Sequence, residues 1–273
     1  SVGHPLTAFF FILKFFEFFL LFFLVANSIS REAQVRRIMI IFFLTALSVS
    51  AWAIWTTIVT SQHGRATTPF ETAEEPGTLG GYLLFTFALA VGLLNYAKGM
   101  FSRAVYVSIL SFILPPFLYT LSRGSYMAFF PMFLSVLFLS KKKAVPIILL
   151  IALAAASPWL PGVTIERVEY TFQNRIENIW SPDPNAQVEL DPSSAARLER
   201  YEGVISQWMY HPLIGQGWTG VGFVDSQIVR TLGEMGLLGI FSLLWLFRNI
   251  FKTALDLYRK LPDGFAKGLT LGL

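Results

Sequence analysis

Cysteine is absent from the 273 residues, and histidine is nearly so, with His4, His63 and His211 far apart in the chain. The first absence excludes disulfides and thiolate metal sites, and the second leaves no cluster from which a histidine metal site is built. No resident metal and no cofactor are expected. Charge is scarce too: Asp, Glu, Lys and Arg make up 14% of the chain, against about 25% in an ordinary soluble domain. What fills the space is apolar. Hydrophobic residues account for 54%, Phe alone for 27 positions, and the mean hydropathy is +0.58. Such a chain has lipid as its solvent, and in lipid the backbone is satisfied by helices. The expected fold is all-α, a polytopic bundle of membrane helices. The net charge of +4 does not point to nucleic acid, because the basic residues sit in short loops where membrane topology explains them.

A hydrocarbon core of about 30 Å takes about 20 apolar helical residues to cross. Seven segments qualify: 5–27, 37–60, 77–97, 104–121, 124–140, 144–160 and 226–250. Basic residues occupy every second connection, at Arg31, Arg36 and Arg37, at Lys98 and Arg103, at Lys141 to Lys143, and at Arg248, Lys252, Arg259 and Lys260. The positive-inside rule assigns those connections to the cytoplasm. Two longer polar segments, 61–76 and 161–224, hold most of the acidic residues and fall on the opposite side. The chain thus divides into a first set of six spans (1–160), an external loop (161–224), and a seventh span with the start of another apolar stretch at Phe265 (225–273). It opens at Ser1 without a methionine, and the expectation is a fragment of a longer membrane protein.

Within the large loop, Ser181-Pro182-Asp183-Pro184-Asn185 is a cluster of turn formers, and Asp191-Pro192 has the pattern of an N-cap followed by proline at the first helical position. A helix is expected from there to Tyr210. Its apolar residues Leu198, Tyr201, Val204, Ile205, Trp208 and Met209 recur at helical spacing, which makes an amphipathic helix fit to lie on the bundle or in the membrane interface. Pro212 ends it, and Gly215, Gly217, Gly220 and Gly222 supply a pliable return to the next span. In that span Gly233, Gly236 and Gly239 read as small residues for close helix packing, with Glu234 bonding across to a neighbour or back to Arg230. Lys14 and Glu17 lie three residues apart inside the first span and read as a paired interior bridge. Pro115-Pro116 is expected to break the fourth span.

Four elements of this pattern together resemble the O-antigen ligase and O-antigen polymerase superfamily. Ser122-Arg123-Gly124 opens a helix on the external side. Gly64-Arg65, then Thr68-Pro69-Phe70 and the run from Pro76 to Tyr82, is similar to the family's upstream arginine and the helix start after it. Arg197, an aromatic at Tyr201, His211-Pro212-Leu213 and Gly215-x-Gly217 follow its loop motif. Asp225-Ser226, followed by Leu232, Glu234, Gly236, Leu237 and Gly239, is similar to the start of its next span. Ligases of the family usually carry a His where Asp225 stands, and polymerase-like members tolerate Asp there, which tilts the resemblance toward a polymerase.

The resemblance implies a multi-span glycosyltransferase of the bacterial inner membrane, inverting and independent of metal, in lipopolysaccharide or polysaccharide biosynthesis. Its donor is a glycan on undecaprenyl diphosphate. Its acceptor is another lipid-linked glycan for a polymerase, or a lipid A core sugar for a ligase. The chemistry agrees with the residue types. A departing diphosphate needs stabilising, and guanidinium groups do this with permanent charge and paired donors. Arg123 and Arg197 are the candidates for that role, with Arg65, Arg200 and His211 as further substrate contacts. Asp225 is the candidate base or orienting group for the acceptor hydroxyl, since a carboxylate is ionised at neutral pH without tuning.

Each of these residues also has a plainer role open to it. Arg123 at a helix end can anchor to lipid headgroups, Arg197 and Arg200 can be the solvated face of an amphipathic helix, and Arg65 can be structural. His211 can pack the loop, and Asp225 can be a helix N-cap. A transporter or flippase of lipid-linked sugars would use the same arginines without chemistry, although transporters often show paired interrupted helices and no matching pair is visible here. Membrane lipids and the glycan substrates are the expected partners, and nothing in the residues sets an oligomeric state.

Overall fold

The computed structural model describes residues 5–59, 65–69, 76–140, 143, 147, 192–222 and 224–273. Every regular element among them is helical: α1 (Pro5–Ser28), α2 (Glu32–Ile54, running on into a wider π turn over Trp55–Val59), α3 (Pro76–Tyr96), α4 (Met100–Tyr119), α5 (Arg123–Leu139), α6 (Pro192–Trp208), α7 (Gln227–Lys260) and α8 (Phe265–Gly272). Four stretches among the described residues are long and apolar enough to cross a membrane: Glu32–Thr57, Pro76–Tyr96, Met100–Tyr119 and Gln227–Lys260. The expected sixth span, the turn cluster at 181–185, Asp191, Gly64 and residues 70–75 lie outside the described residues, apart from Ile147, which is helical.

The chain forms two compact units, one of residues 1–30 and 173–252, the other of residues 31–172 and 253–273. In the second, α3 is the centre. It is apolar on all sides, as suits a helix that neighbours cover; every residue from Thr86 to Tyr96 is buried, and Leu79 and Leu83 are wholly buried nearer its start. It packs against α4, α5 and α8. The approach of α8 depends on missing side chains. A Cβ on Gly272 would lie 2.6 Å from the backbone of Leu89, and one on Gly268 would lie 2.8 Å from the Gly92 carbonyl, so only glycine lets the two backbones touch.

Polar groups close the same end of this unit. The Lys267 ammonium is 3.1 Å from Asp263 and faces the rings of Tyr96 and Tyr258 at 5.7 and 5.5 Å. The two tyrosine hydroxyls are 2.8 Å apart, and that of Tyr258 donates to the Leu139 carbonyl at 2.8 Å. Asn95 donates to the Ser140 hydroxyl.

Two expectations are corrected here. Pro115 and Pro116 do not break α4, which continues through both to Tyr119; the pair sits in the last turns, where few further backbone bonds depend on it. Lys14 and Glu17 form no interior bridge. Every described side chain of α1 from Phe9 to Val25 is exposed, theirs included, and no ion pair joins them among the described residues.

In the other unit, α6 runs beside the first turns of α7 and in the same direction. Arg197 meets Asp225 just before α7, and seven residues on, Val204 is buried against Gly233, where an added Cβ would come within 2.6 Å of it. Of the expected apolar face of α6, Val204 alone is buried; Leu198, Ile205 and Met209 are exposed.

Candidate functional site

The start of α7 brings several polar side chains of its unit together among the described residues. Ser226 caps the helix, its Oγ accepting the Val229 N–H at 3.5 Å. Asp225, one residue earlier, is therefore not consumed by capping. Its Oδ2 accepts instead from Arg197 Nε at 3.2 Å, with the two side chains 36% and 56% exposed. That exposure makes the pair worth little as a stabilising bridge, of the order of 0–1 kcal/mol. It leaves both groups within reach of a ligand.

One turn further, a second arginine is held in the same manner. Arg230 Nε donates to Glu234 Oε1 at 3.2 Å, and here the carboxylate is only 4% exposed and the arginine 27%. The same Oε1 accepts the Thr219 N–H at 3.0 Å. Thr219 is β-branched with φ +64, a conformation that costs about 1–3 kcal/mol outside glycine; its bond to Glu234 is what holds it. The turn this creates places the Trp218 ring 5.9 Å from the Arg230 guanidinium carbon.

The loop of residues 211–217 is fixed to α7 by an exchange of backbone bonds. α7 is interrupted at Gly236, whose φ of +65 and ψ of −158 are not helical. In an unbroken helix the N–H groups of Leu237 and Leu238 would bond to the carbonyls of Gly233 and Glu234. Instead, those two N–H groups donate to Pro212 and Leu213 at 3.0 and 3.2 Å, while the Gly233 and Glu234 carbonyls accept from Gln216 and Gly217 at 2.8 and 3.0 Å. The loop is inserted into two consecutive rungs of the helix ladder, and all four orphaned groups are satisfied. Glycine is required on both sides of the contact. A Cβ on Gly236 would be 2.5 Å from the Leu213 carbonyl, and one on Gly215, itself at φ +67, would be 2.5 Å from the Glu234 backbone. Side-chain bonds close the loop's base, from Trp208 Nε1 to the Pro212 carbonyl at 2.9 Å and from Gln216 Nε2 to the Gln207 carbonyl at 2.5 Å. All three glycines of α7 were expected to admit a neighbouring helix; Gly236 instead receives the loop, Gly233 meets Val204 of α6 and Val221, and Gly239 faces side chains of α7 itself.

In the other unit, the turn between α4 and α5 presents Arg123. Leu121 takes φ +49, Ser122 caps α5 by accepting the Ser125 N–H at 3.4 Å, and Arg123 follows on an exposed first turn. Gly80 of α3 admits this turn, because a Cβ there would be 2.8 Å from Ser125 Cβ. Arg65 belongs to the same end: its neighbour Ala66 is wholly buried and donates its N–H to the Tyr119 carbonyl at 2.9 Å. A cavity of about 410 Å³ lined by Arg36, Tyr96, Lys98 and Asp263 lies at the opposite end of α3, roughly 30 Å away for 21 residues.

The sequence-derived candidates therefore separate into groups. Arg197 and Asp225 are in contact, and Arg65 and Arg123 share one end of their own unit. Arg200 is exposed on α6 with no partner among the described residues. His211 shapes the loop through its backbone, accepting from Gly215 at 2.8 Å, while its side chain is exposed. Among the described residues no three acidic or histidine side chains group as metal ligands. Arg230 and Trp218 were not among the candidates. The signal for Arg230 was present, an arginine at i−4 from a buried Glu, but it read as a helper for Glu234.

Residues 108–244, just over half of the chain, match the O-antigen ligase family. The matched segment runs from within α4, through α5 and α6, to beyond the break in α7. No curated protein matches the chain.

Proposed function

The chain belongs to the O-antigen ligase family, and from that premise we propose that it transfers a glycan from undecaprenyl diphosphate to a sugar hydroxyl at the periplasmic face of the bacterial inner membrane. The observation that carries the reading is the contact of Arg197 with Asp225 inside the matched segment. It sets a phosphate-binding guanidinium beside a carboxylate, which is what this displacement requires.

The acceptor oxygen attacks the anomeric carbon, the bond from that carbon to the diphosphate oxygen breaks, and the electron pair leaves with the diphosphate. The acceptor proton passes to the Asp225 carboxylate, whose second oxygen has no partner among the described residues. A single displacement of this kind inverts the anomeric centre. Arg197 Nε holds Asp225, leaving its two terminal nitrogens for the diphosphate, a geometry suited to phosphate oxygens. The sequence pattern assigns Arg123 to the diphosphate as well, and Arg65, Arg200 and His211 to substrate contacts. Asp225 in place of histidine favours a polymerase, in which the acceptor is another lipid-linked glycan.

The test uses the full-length protein in proteoliposomes, a lipid-diphosphate-linked oligosaccharide repeat, and chelator throughout. A ladder of longer glycans on the carrier without added acceptor is the expected result, lost in Asp225→Asn. Transfer only when a lipid A core is supplied makes the protein a ligase. Absence of transfer in both cases, with the lipid carried across the membrane, makes it a transporter.

A further inference from the structure

We propose that Arg230 is a further binding residue for the lipid diphosphate, with Trp218 as the platform that orients it. The inference rests on the reading above for its substrate, and on separate geometry for the residue.

A guanidinium has five N–H donors in a planar fork. Arg230 commits one of them, Nε, to Glu234, and no other bond from it is present among the described residues. Arg36 is a more fully paired arginine of this chain: it gives both Nε and Nη2 to Glu32, at 2.9 and 2.5 Å, and its guanidinium carbon is 4.2 Å from the centre of the Phe265 ring. The side chain of Arg230 is 27% exposed, so it is neither fully buried with Glu234 nor fully free in water. It stands at the rim of the α7 start, about a turn and a half along the axis from the Arg197–Asp225 contact, roughly 7 Å at helical rise. Arg230 thus lies within two helical turns of the residue that Arg197 contacts, and one diphosphate shared between the two arginines is the arrangement proposed.

The surroundings hold the fork in place. Glu234 fixes Nε, and the strained Thr219 is held by the same carboxylate so that Trp218 lies over the guanidinium. Neutralising Glu234 would need neither the strained turn nor the indole. A site that must present two N–H groups in a defined plane uses both.

The test measures binding of undecaprenyl diphosphate and of undecaprenyl monophosphate to the full-length protein in nanodiscs, with melting temperature recorded for each variant. Arg230→Lys and Arg230→Gln are expected to bind the diphosphate about 10- to 100-fold more weakly, the range for losing charge-assisted bonds, while monophosphate binding changes several-fold less. Trp218→Phe, which leaves the Glu234 pair intact, is expected to lose diphosphate affinity in the same selective way but to a smaller extent. Wild-type diphosphate affinity in Arg230→Lys and Arg230→Gln overturns the inference and leaves the transferase reading standing. So does equal weakening of both lipids alongside a lower melting temperature, which is the mark of a merely structural pair. A wild-type protein that neither prefers the diphosphate nor transfers from it defeats the transferase reading itself, and this inference with it.

Discussion

Replacing Gly236 by alanine tests whether the 211–217 loop is held by the break in α7. The residue sits at φ +65, ψ −158, a region open essentially to glycine alone, where another residue costs about 1–3 kcal/mol. In a straight helix the same substitution is favourable by about 1 kcal/mol. The mutation therefore swings the balance between the broken and straightened forms by about 2–4 kcal/mol. The added Cβ, 2.5 Å from the Leu213 carbonyl, acts in the same direction by pushing the loop away. A straightened α7 bonds Leu237 and Leu238 to Gly233 and Glu234 internally, and the amides of Gln216 and Gly217 then lose their acceptors. Hydrogen exchange on a peptide spanning 211–219 reads this directly, and a swing of 2–4 kcal/mol corresponds to roughly 30- to 900-fold faster exchange at those two amides. The exchange of α7 itself should not rise, because its ladder is completed. Unchanged protection at Gln216 and Gly217 in Gly236→Ala would refute the argument that the loop and the break sustain one another.

Three further outcomes follow from the same structure. Glu234→Ala should lower unfolding stability in detergent by about 2–3 kcal/mol, since it strands the Arg230 guanidinium and the Thr219 N–H, whereas Glu234→Gln keeps an acceptor and should cost about half as much; equal losses would show that the bonds to Oε1 are immaterial. Gly80→Ala should depress transfer by displacing the α5 start that carries Arg123, and Ser125→Gly in the same chain should restore it, because Ser125 is the side chain in the way; failure of the rescue in a folded double variant removes that packing from the explanation. Arg123→Lys should reduce turnover at least tenfold at normal protein level, the ammonium keeping the charge but not the paired donors, and wild-type turnover would take Arg123 out of the site.

What could be read from the sequence was set by length and local pattern. Apolar runs of 20 residues announce helices because lipid offers the backbone no alternative, and α2 to α5 begin and end within a few residues of expectation. The seventh span was placed correctly at its start but ends at Lys260, ten residues beyond the expected Ile250, because a hydropathy criterion stops where Lys252 and Asp256 begin although nothing there breaks a helix. The Arg197–Asp225 contact was only half legible. Each residue was singled out, but whether Asp225 would cap α7 depended on Ser226, the next residue and an equally good cap. Gly236 was misread for a physical reason. A glycine in an apolar helix has the same local signature whether it admits a neighbouring helix or a left-handed break, and the partner that decides, 211–217, lies some 20 residues away in the chain.

That partner also explains why the polar residues stand where they do. Glu234 is tied to the loop at two levels: its carbonyl accepts from Gly217, and its carboxylate from Thr219, two residues on. A rigid triangle of backbone and side chain results, and Arg230 is attached to its polar corner. Straightening α7 would return the Glu234 carbonyl to Leu238 and remove one side of the triangle, so Thr219 would lose the constraint that keeps it at positive φ and Trp218 would leave the guanidinium. The arginine would still be one turn from a carboxylate, as any i, i+4 pair is, but its plane would no longer be fixed. The break therefore does more than let the chain turn. It converts an ordinary helical ion pair, worth a few tenths of a kcal/mol on a free surface, into a directed group at the start of α7, near the contact in which Asp225 is held by Arg197 of α6.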